Sequence, residues 1–556
     1  MHGASPTPLL GTTIGGFLDR AVQRWGDRPA LVVREQNLRL SYAELGRAVE
    51  QLAAALLARG LKPGDRVGIW APNCAEWVLT QFATARAGLI LVNINPAYRT
   101  HELAYALNKA DCAALLLTRR HKDSDYLAML RELAPELRDA APGALHAQHL
   151  PELRNVVLLE DTSEAGVLGW NTLLDSVTAE STEFLNQIAA TLNFDDPINI
   201  QFTSGTTGQA KGATLTHHNL LNNGFFVGEA MRLTEQDRLC IPVPFYHCFG
   251  MVLGNLACIT HGSCMVIPGA GFDPLATLET VAEERCTGLH GVPTMFIAEL
   301  NHPRFNEFEL GSLRTGIMAG SPCPTEIMRR VVNAMHMRDV TIAYGMTETS
   351  PVSFQTTPDD PLERRVSTVG RVHPHIEVKI VDTEGHIVPR GITGELCTRG
   401  YSVMLSYWND ASRSHEVIDA AGWMHTGDLA IIDAQGYANI VGRIKDMVIR
   451  GGENIYPREI EEFLYTHPQI LDVQVFGVPD PKYGEELCAW IRLREDQQLS
   501  DEDIRTFCQD RIAHYKIPRH IRFVDSYPLT VTGKVQKFHM RETMMQELDL
   551  TVARTA

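Results

Sequence analysis

Apolar positions along the first half of the chain keep switching between two spacings. In "SYAELGRAVEQLAAALLARG" they recur every three to four residues, as on a helix with one buried face. Ser41 and Glu44 supply a capping-box pattern at its start, and Gly60 followed by Pro63 supplies a stop. Next come "DRVGIWAP", short and apolar like a buried strand, a helical "AEWVLTQFATARAG", and a second strand-like run, "LILVNINP". This alternation predicts an α/β fold with a mainly parallel sheet. From about Val366 to Val441 the texture changes. Runs such as "IEVKIVD" and "GELCTRG", separated by Gly, Asp and Pro, predict a small antiparallel or barrel-like section. From Arg443 onward, "PREIEEFLYTHP", "ILDVQVFGVPD" and "DEDIRTFCQDRIAHY" read as helix, strand and helix, enough for a compact C-terminal domain. The boundary is placed at 443–446.

At 556 residues the chain exceeds one core and implies at least two domains. A net charge of −17 argues against a nucleic-acid binder but leaves room for anionic small substrates held by local cations and amides. No apolar run is long enough to span a bilayer, and the first residues lack the pattern of a secretory signal. Eleven scattered cysteines without a CxxC indicate neither a zinc site nor a disulfide framework. They suit a reducing compartment: cytoplasm, or the mitochondrial matrix in a eukaryote. The chain also leaves room for a homodimer.

The richest chemistry lies in "TSGTTGQAKG", which follows the strand-like "PINIQFT". Its glycines let backbone amides approach a ligand, its hydroxyls add donors, and Lys211 adds a mobile charge. A Walker A loop is disfavoured because Lys211 is followed by Gly212 rather than by Ser or Thr. A phosphate clamp at a strand-to-loop turn fits, and so, taken alone, does a surface loop with no ligand.

Six further stretches extend the picture: "PFYHCFG" (244–250), "AGSPCP" (319–324), "YGMTETSP" (344–351), "HTGDLA" (425–430), "GRIKDMVIRGGENIYPREIE" (442–461) and "PLTVTGKVQK" (528–537). In this order, with "TSGTTGQAKG" before them, they resemble the acyl-adenylate-forming enzymes: acyl-CoA synthetases, adenylation domains and beetle luciferases. The resemblance covers nearly the whole chain. One departure is Ala210, where the family usually has proline. It implies a large N-terminal domain of parallel α/β layers with a small β-barrel-like section, residues 1–443. A small mobile α+β C-terminal domain, 444–556, would turn about a hinge near Lys445.

The same resemblance implies the roles. Thr203, Ser204, Gly205, Thr206, Thr207 and Lys211 would hold the β- and γ-phosphates of ATP. Thr347 would bind the α-phosphate and Glu348 would position Mg²⁺. Tyr344 would lie against the adenine, with Gly345 in the same ATP/AMP-binding set, and Gly320 would let the backbone approach the adenine or acyl group. Asp428 would take the ribose hydroxyls, and Arg443 would contact ribose or phosphate from the domain junction. Lys534 would bridge the attacking carboxylate and the α-phosphate, making it the catalytic residue of adenylation. His247 would gate the passage between acyl pocket and thiol entrance, and Gly451 and Gly452 would line the CoA arm after domain rotation. Seen singly, Glu348, Asp428, Tyr344 and His247 also read as ordinary surface, turn or core residues.

These implications add up to an ATP-dependent acyl-CoA synthetase that uses ATP, Mg²⁺ and CoA. "LVNINPAYRTHELAYALNKA" with "RGGENIYPREIEEFL" looks most like medium-chain fatty acyl-CoA synthetases. Around the expected pocket, "FGMVLGNLACITHG" is apolar, with Gly250 and Gly254 expected to leave room for an extended chain. An aryl or long-chain acid, or a fatty acyl-AMP ligase serving a carrier protein, is the alternative. A carrier-linked adenylation domain, a luciferase and a catalytically silent scaffold fit less well, the last because Glu348, Asp428, Arg443 and Lys534 are all present.

Overall fold

Two large sheets and the helices between them account for most of the chain. The computed structural model describes residues 1–203, 210–321, 323–450, 453–509, 511–530 and 535–550. One sheet has seven strands, in the order Ser406–Tyr407, Lys211–Thr216, Pro197–Thr203, Ile90–Asn93, Arg66–Trp70, Cys112–Leu117 and Asn155–Leu158. The last five are mutually parallel, while the first two pair antiparallel. The other sheet has nine strands, parallel through its centre and antiparallel at both edges. The α/β alternation is therefore realised twice over.

Local sequence explains the elements that pack between the sheets. Helix Tyr42–Ala58 starts on the expected capping box of Ser41 and Glu44 and ends before Gly60, whose φ of +83° closes the turn. Helix Ala75–Ala87 is buried nearly all round, so its polar residues must find partners inside. Thr80 and Thr84 donate back to carbonyls one turn earlier, and Gln81 donates to the Met251 carbonyl at 3.2 Å.

The section after Val366 is a four-stranded antiparallel sheet: Ile376–Val381, Gly394–Gly400, Met424–Ile432 and Ala438–Arg443. The antiparallel expectation holds, but the barrel-like one does not. Among the described residues the two outer strands do not pair, so the sheet stays open. It ends at Arg443, and the next strand, Val448–Arg450, belongs to a five-stranded sheet with Glu453–Ile455, Ile470–Asp480, Gly484–Leu493 and His520–Phe523. Helices Pro457–Leu464, Asp501–Cys508 and Lys537–Glu547 complete that part. The middle one is shorter than "DEDIRTFCQDRIAHY" suggested: Gln509 leaves helical geometry, and Ile512 and Tyr515 reach the local core from beyond it.

Candidate active site

The hairpin that carries the clamp sits at the antiparallel side of the seven-stranded sheet. Thr203 and Lys211 face each other as register partners at the end where residues 204–210 join the two strands. Ser204, Gly205, Thr206 and Thr207 lie outside the described residues. The clamp's far end is secured by Tyr105, whose hydroxyl donates to the Ala210 carbonyl at 2.9 Å. The Lys211 ammonium lies over the Tyr407 ring, 4.7 Å from its centroid.

Glu348 comes to this hairpin from the nine-stranded sheet. Strand Asp339–Gly345 runs into a short turn, Thr347–Thr349, which leaves the Glu348 side chain 6% exposed and directed at the clamp. Thr203 donates to its carboxylate at 3.4 Å, and the buried Tyr407 hydroxyl donates at 2.9 Å. Burial and this carboxylate together push the Tyr407 phenol well up, so it stays a donor. Among the described residues no cation is ion-paired with Glu348. A buried carboxylate with hydroxyl partners is a hard-oxygen environment suited to Mg²⁺. Tyr407 is the site residue that the sequence reading missed. Its signal was the aromatic pair in "SYWN", placed beside Lys211 by a two-residue edge strand.

The other carboxylate is Asp428, 5% exposed, on strand Met424–Ile432. Arg443 is its register partner on the next strand and donates to Oδ1 at 3.0 Å. The Tyr344 hydroxyl donates to Oδ2 at 2.6 Å. Burial, then the Asp428 charge, holds the Tyr344 phenol well above its ordinary range. Tyr344 and Thr347 flank the same strand end, so the Asp428 and Glu348 clusters are joined by a few residues of "YGMTETSP". Gly345 is glycine for a packing reason: a Cβ there would fall 1.6 Å from the Pro351 carbonyl oxygen. Gly320, with φ +92°, ends the strand Thr315–Ala319 in a conformation side chains rarely adopt.

A buried wall lies behind these groups. Residues Phe249–Leu256 form a π-helix, every residue of it buried. Such a helix widens the backbone repeat and tends to mark functional sites. Its carbonyls are met by Gln81 at Met251 and by the His290 ring at Leu253, 2.9 Å away, while His290 Nδ1 accepts from the Ile317 amide. Burial drops the His290 pKa to about 4, so it is neutral and can make both bonds. The half-buried His247 stands at the start of this helix and accepts the Phe249 amide at 3.2 Å. Gly250 and Gly254 do not leave room for a ligand chain. A Cβ on Gly250 would meet the Pro244 carbonyl oxygen at 2.5 Å, and one on Gly254 would meet Ile241 at 3.0 Å. The protein itself fills that space.

Lys534, Gly451 and Gly452 lie outside the described residues. The neighbouring Lys537 is already engaged: its ammonium binds the Glu461 carboxylate at 2.6 Å and the Val475 carbonyl at 2.9 Å. Lys445 is exposed, between the last strand of the four-stranded sheet and the first of the C-terminal one. Helix Pro457–Leu464 touches the N-terminal part through Arg458, which donates to the Ile440 carbonyl. No helix among the described residues is long and apolar enough to cross a membrane.

Comparison with known proteins agrees with this arrangement. A family model described as "AMP-binding enzyme" matches residues 18–408, and one described as "AMP-binding enzyme C-terminal domain" matches residues 459–534. The chain is similar to the mitochondrial medium-chain acyl-CoA ligase ACSF2 of Danio rerio, 48% identical over 99% of this chain and 91% of that one. It is likewise similar to ACSF2 of Bos taurus, 47% identical over 98% and 89%. Among solved structures it resembles the anthranilate CoA ligase AuaEII in complex with anthranoyl-AMP. There the TM-score is 0.84 at 26% identity, over 98% of this chain and 99% of that one. The chain belongs to the AMP-binding enzyme family.

Proposed function

We propose that the protein is an AMP-forming acyl-CoA synthetase, an acid–thiol ligase that activates a medium-chain fatty acid. The observation that carries this reading is the pair of buried carboxylates, Glu348 and Asp428, with a phosphate-type hairpin beside the first and a tyrosine–arginine bracket on the second. One end suits a metal-chelated polyphosphate and the other a ribose. The medium-chain assignment draws support from relatives named for that substrate class at 47–48% identity over nearly the whole chain. Aryl and long-chain acids are the alternative substrates, and a fatty acyl-AMP ligase the alternative enzyme.

In the first step an oxygen of the substrate carboxylate attacks the α-phosphorus of ATP, and the bond to pyrophosphate breaks. Two anions must approach each other, so the barrier is chiefly electrostatic. Lys211 and the clamp hydroxyls would hold the β- and γ-phosphates, Thr347 the α-phosphate, and Lys534 the attacking oxygen against it. Mg²⁺ at Glu348 would neutralise the polyphosphate and steady the leaving pyrophosphate. Tyr407 and Thr203 orient Glu348 for that task through their hydroxyls. Asp428 would accept from the ribose hydroxyls while Arg443 and Tyr344 hold it in place. Gly320 would let the backbone approach the adenine or the acyl group.

In the second step the CoA thiol attacks the acyl carbon and AMP departs. Lys534 would then be in the way, and rotation of residues 444–556 about Lys445 would withdraw it and bring Gly451 and Gly452 to the thiol channel. His247, at the head of the π-helix, would gate the passage between the two substrates. A reducing compartment, cytoplasm or mitochondrial matrix, suits eleven free cysteines.

The test is product formation from ATP, Mg²⁺, CoA and straight-chain acids of increasing length beside a few aryl acids, with AMP and thioester identified by mass. AMP and acyl-CoA appearing together, with a maximum at intermediate length, is the expected result. Pyrophosphate release with acyl-AMP but no thioester would move the assignment to an acyl-AMP ligase, and a maximum on aryl acids would replace the substrate class.

A further inference from the structure

A second cluster of ligand-type side chains lies outside the groups assigned above. Glu395 and Cys397 are two apart on strand Gly394–Gly400 and so share one face of the sheet. His425 is the register partner of Cys397 on the adjacent antiparallel strand. The result is one nitrogen, one sulfur and one carboxylate oxygen, all within 4.8 Å of one another. His425 Nδ1 lies 2.9 Å from Glu395 Oε2 and 3.5 Å from Cys397 Sγ.

Two uses of a Cys, His and Glu in contact can be separated by which ring nitrogen each partner meets. A nucleophilic triad places thiol and carboxylate on opposite nitrogens, so that one orients the ring while the other gives up its proton. Here both meet Nδ1, and Cys397 is fully buried. Convergence on one point is the geometry of a shared cation. The two separations are close to the edges of a tetrahedron whose centre is about 2.0 Å from N and O and about 2.3 Å from S, the bond lengths of zinc.

We propose that Glu395, Cys397 and His425 form a binding site for a borderline-soft divalent cation of the Zn²⁺ class, with a fourth position open to water. His425 is 35% exposed and Glu395 20% by side chain, which provides the entry path. The other carboxylate oxygen of Glu395 accepts the Gly427 amide at 3.1 Å, fixing the ligand's orientation. Two cations stand nearby, and the charge of Lys379 is felt at Cys397. Lys379, the register partner of Cys397 on its other side, lies over the Trp423 ring at 4.6 Å, and Arg399 sits over the same ring at 4.5 Å. The Asp419 carboxylate adds negative field at both Cys397 and His425. A thiolate and an imidazole discriminate against Mg²⁺, so this seat and the one at Glu348 select different ions. Binding would displace the Cys397 proton to solvent, and the proton that His425 Nδ1 donates to Glu395 would leave Nδ1 as the ring takes its Nε2–H tautomer, freeing the Nδ1 lone pair for the cation.

Cobalt(II) serves as the probe, because a thiolate ligand gives it an intense near-ultraviolet charge-transfer band and tetrahedral geometry gives strong visible bands. Untagged protein is stripped with a chelator and titrated with Co²⁺ in excess Mg²⁺. The expected result is one equivalent bound with both features, bleached by one equivalent of Zn²⁺. Cys397→Ser should abolish the charge-transfer band, while Cys74→Ser, at the partly exposed cysteine, should leave it intact. Removing an outer partner of a metal ligand usually costs about 10- to 100-fold in affinity, so Glu395→Gln and His425→Gln should each weaken Co²⁺ by at least about tenfold. These two residues are only partly buried, so their variants decide the matter if Cys397→Ser does not fold. A wild-type titration without the band overturns the proposal. So does a band that survives in folded Cys397→Ser, or Co²⁺ affinity unchanged in both other variants.

Discussion

The two buried carboxylates of the candidate site are nearly equal in exposure and opposite in company. Asp428, 5% exposed, already has a guanidinium on one oxygen and a phenol on the other. Glu348, 6% exposed, has two hydroxyl donors and no ion pair among the described residues. Taking a carboxylate out of water is costly unless a charge compensates it. At Asp428 the protein supplies that charge through sheet register. At Glu348 the described residues leave it to be supplied from elsewhere, and a chelated metal is the natural source. Under the proposed function the first end would hold a neutral sugar, and the second would complete itself with its metal-bound substrate.

Substitutions at the two ends should therefore differ in kind as well as in size. Lys534→Ala should have the largest effect, because it removes the charge proposed to meet the transition state. Acyl-AMP formation should fall by about 100- to 1000-fold, as for removal of a preorganised oxyanion donor. Thioester formation from supplied acyl-AMP should be much less affected, which single-turnover assays of each half-reaction would show. Lys537→Ala, which breaks the Glu461 pair instead, should act mainly on thermal stability. Equal loss in both half-reactions for Lys534→Ala would remove that residue from the first step.

Next in size is Asp428→Ala. Hydrogen bonds to a charged group are worth about 1.5–3 kcal/mol, so the KM for ATP should rise roughly 10- to 100-fold. Acid affinity should stay near that of the wild type. Tyr407→Phe removes one donor from Glu348, and a net loss of about 1 kcal/mol corresponds to roughly fivefold in the Mg²⁺ concentration needed for half-maximal rate. A Tyr407→Phe enzyme whose rate falls equally at all Mg²⁺ concentrations would mean that the hydroxyl serves the fold rather than the metal seat. His290→Leu should act through the π-helix, which would line the proposed acyl site. It leaves the Leu253 carbonyl and the Ile317 amide without their partner, so the preference among acid lengths should shift along with stability.

Much of this arrangement was legible in the sequence, but unevenly. Local rules located the helix at Ser41–Glu44, the strand before the clamp and the antiparallel character of the Val366–Val441 section, because capping, alternation and turn chemistry act over a few residues. The ordered motifs pointed to Asp428, Arg443 and Tyr344, which the fold brings into direct contact across long sequence separations. What could not be read was anything decided by packing between distant elements. Tyr407 became part of the site only through a two-residue edge strand beside Lys211. The glycines at 250 and 254 suggested free volume, yet Pro244 and Ile241 occupy it. Sheet closure was likewise undetermined, since an open four-stranded sheet and a small barrel share the same strand and turn signals.

The contrast between the two carboxylates is tested most directly by Mg²⁺ titration of acyl-AMP formation in Glu348→Gln and Asp428→Asn, measured in single turnover without CoA. The two substitutions are matched in size and each removes one negative charge. Glu348→Gln should shift the Mg²⁺ requirement upward strongly and lower the saturating rate, while Asp428→Asn should leave the Mg²⁺ midpoint in place and raise the ATP requirement alone. An equal shift of the Mg²⁺ midpoint in both variants, or a shift in Asp428→Asn only, would contradict the account.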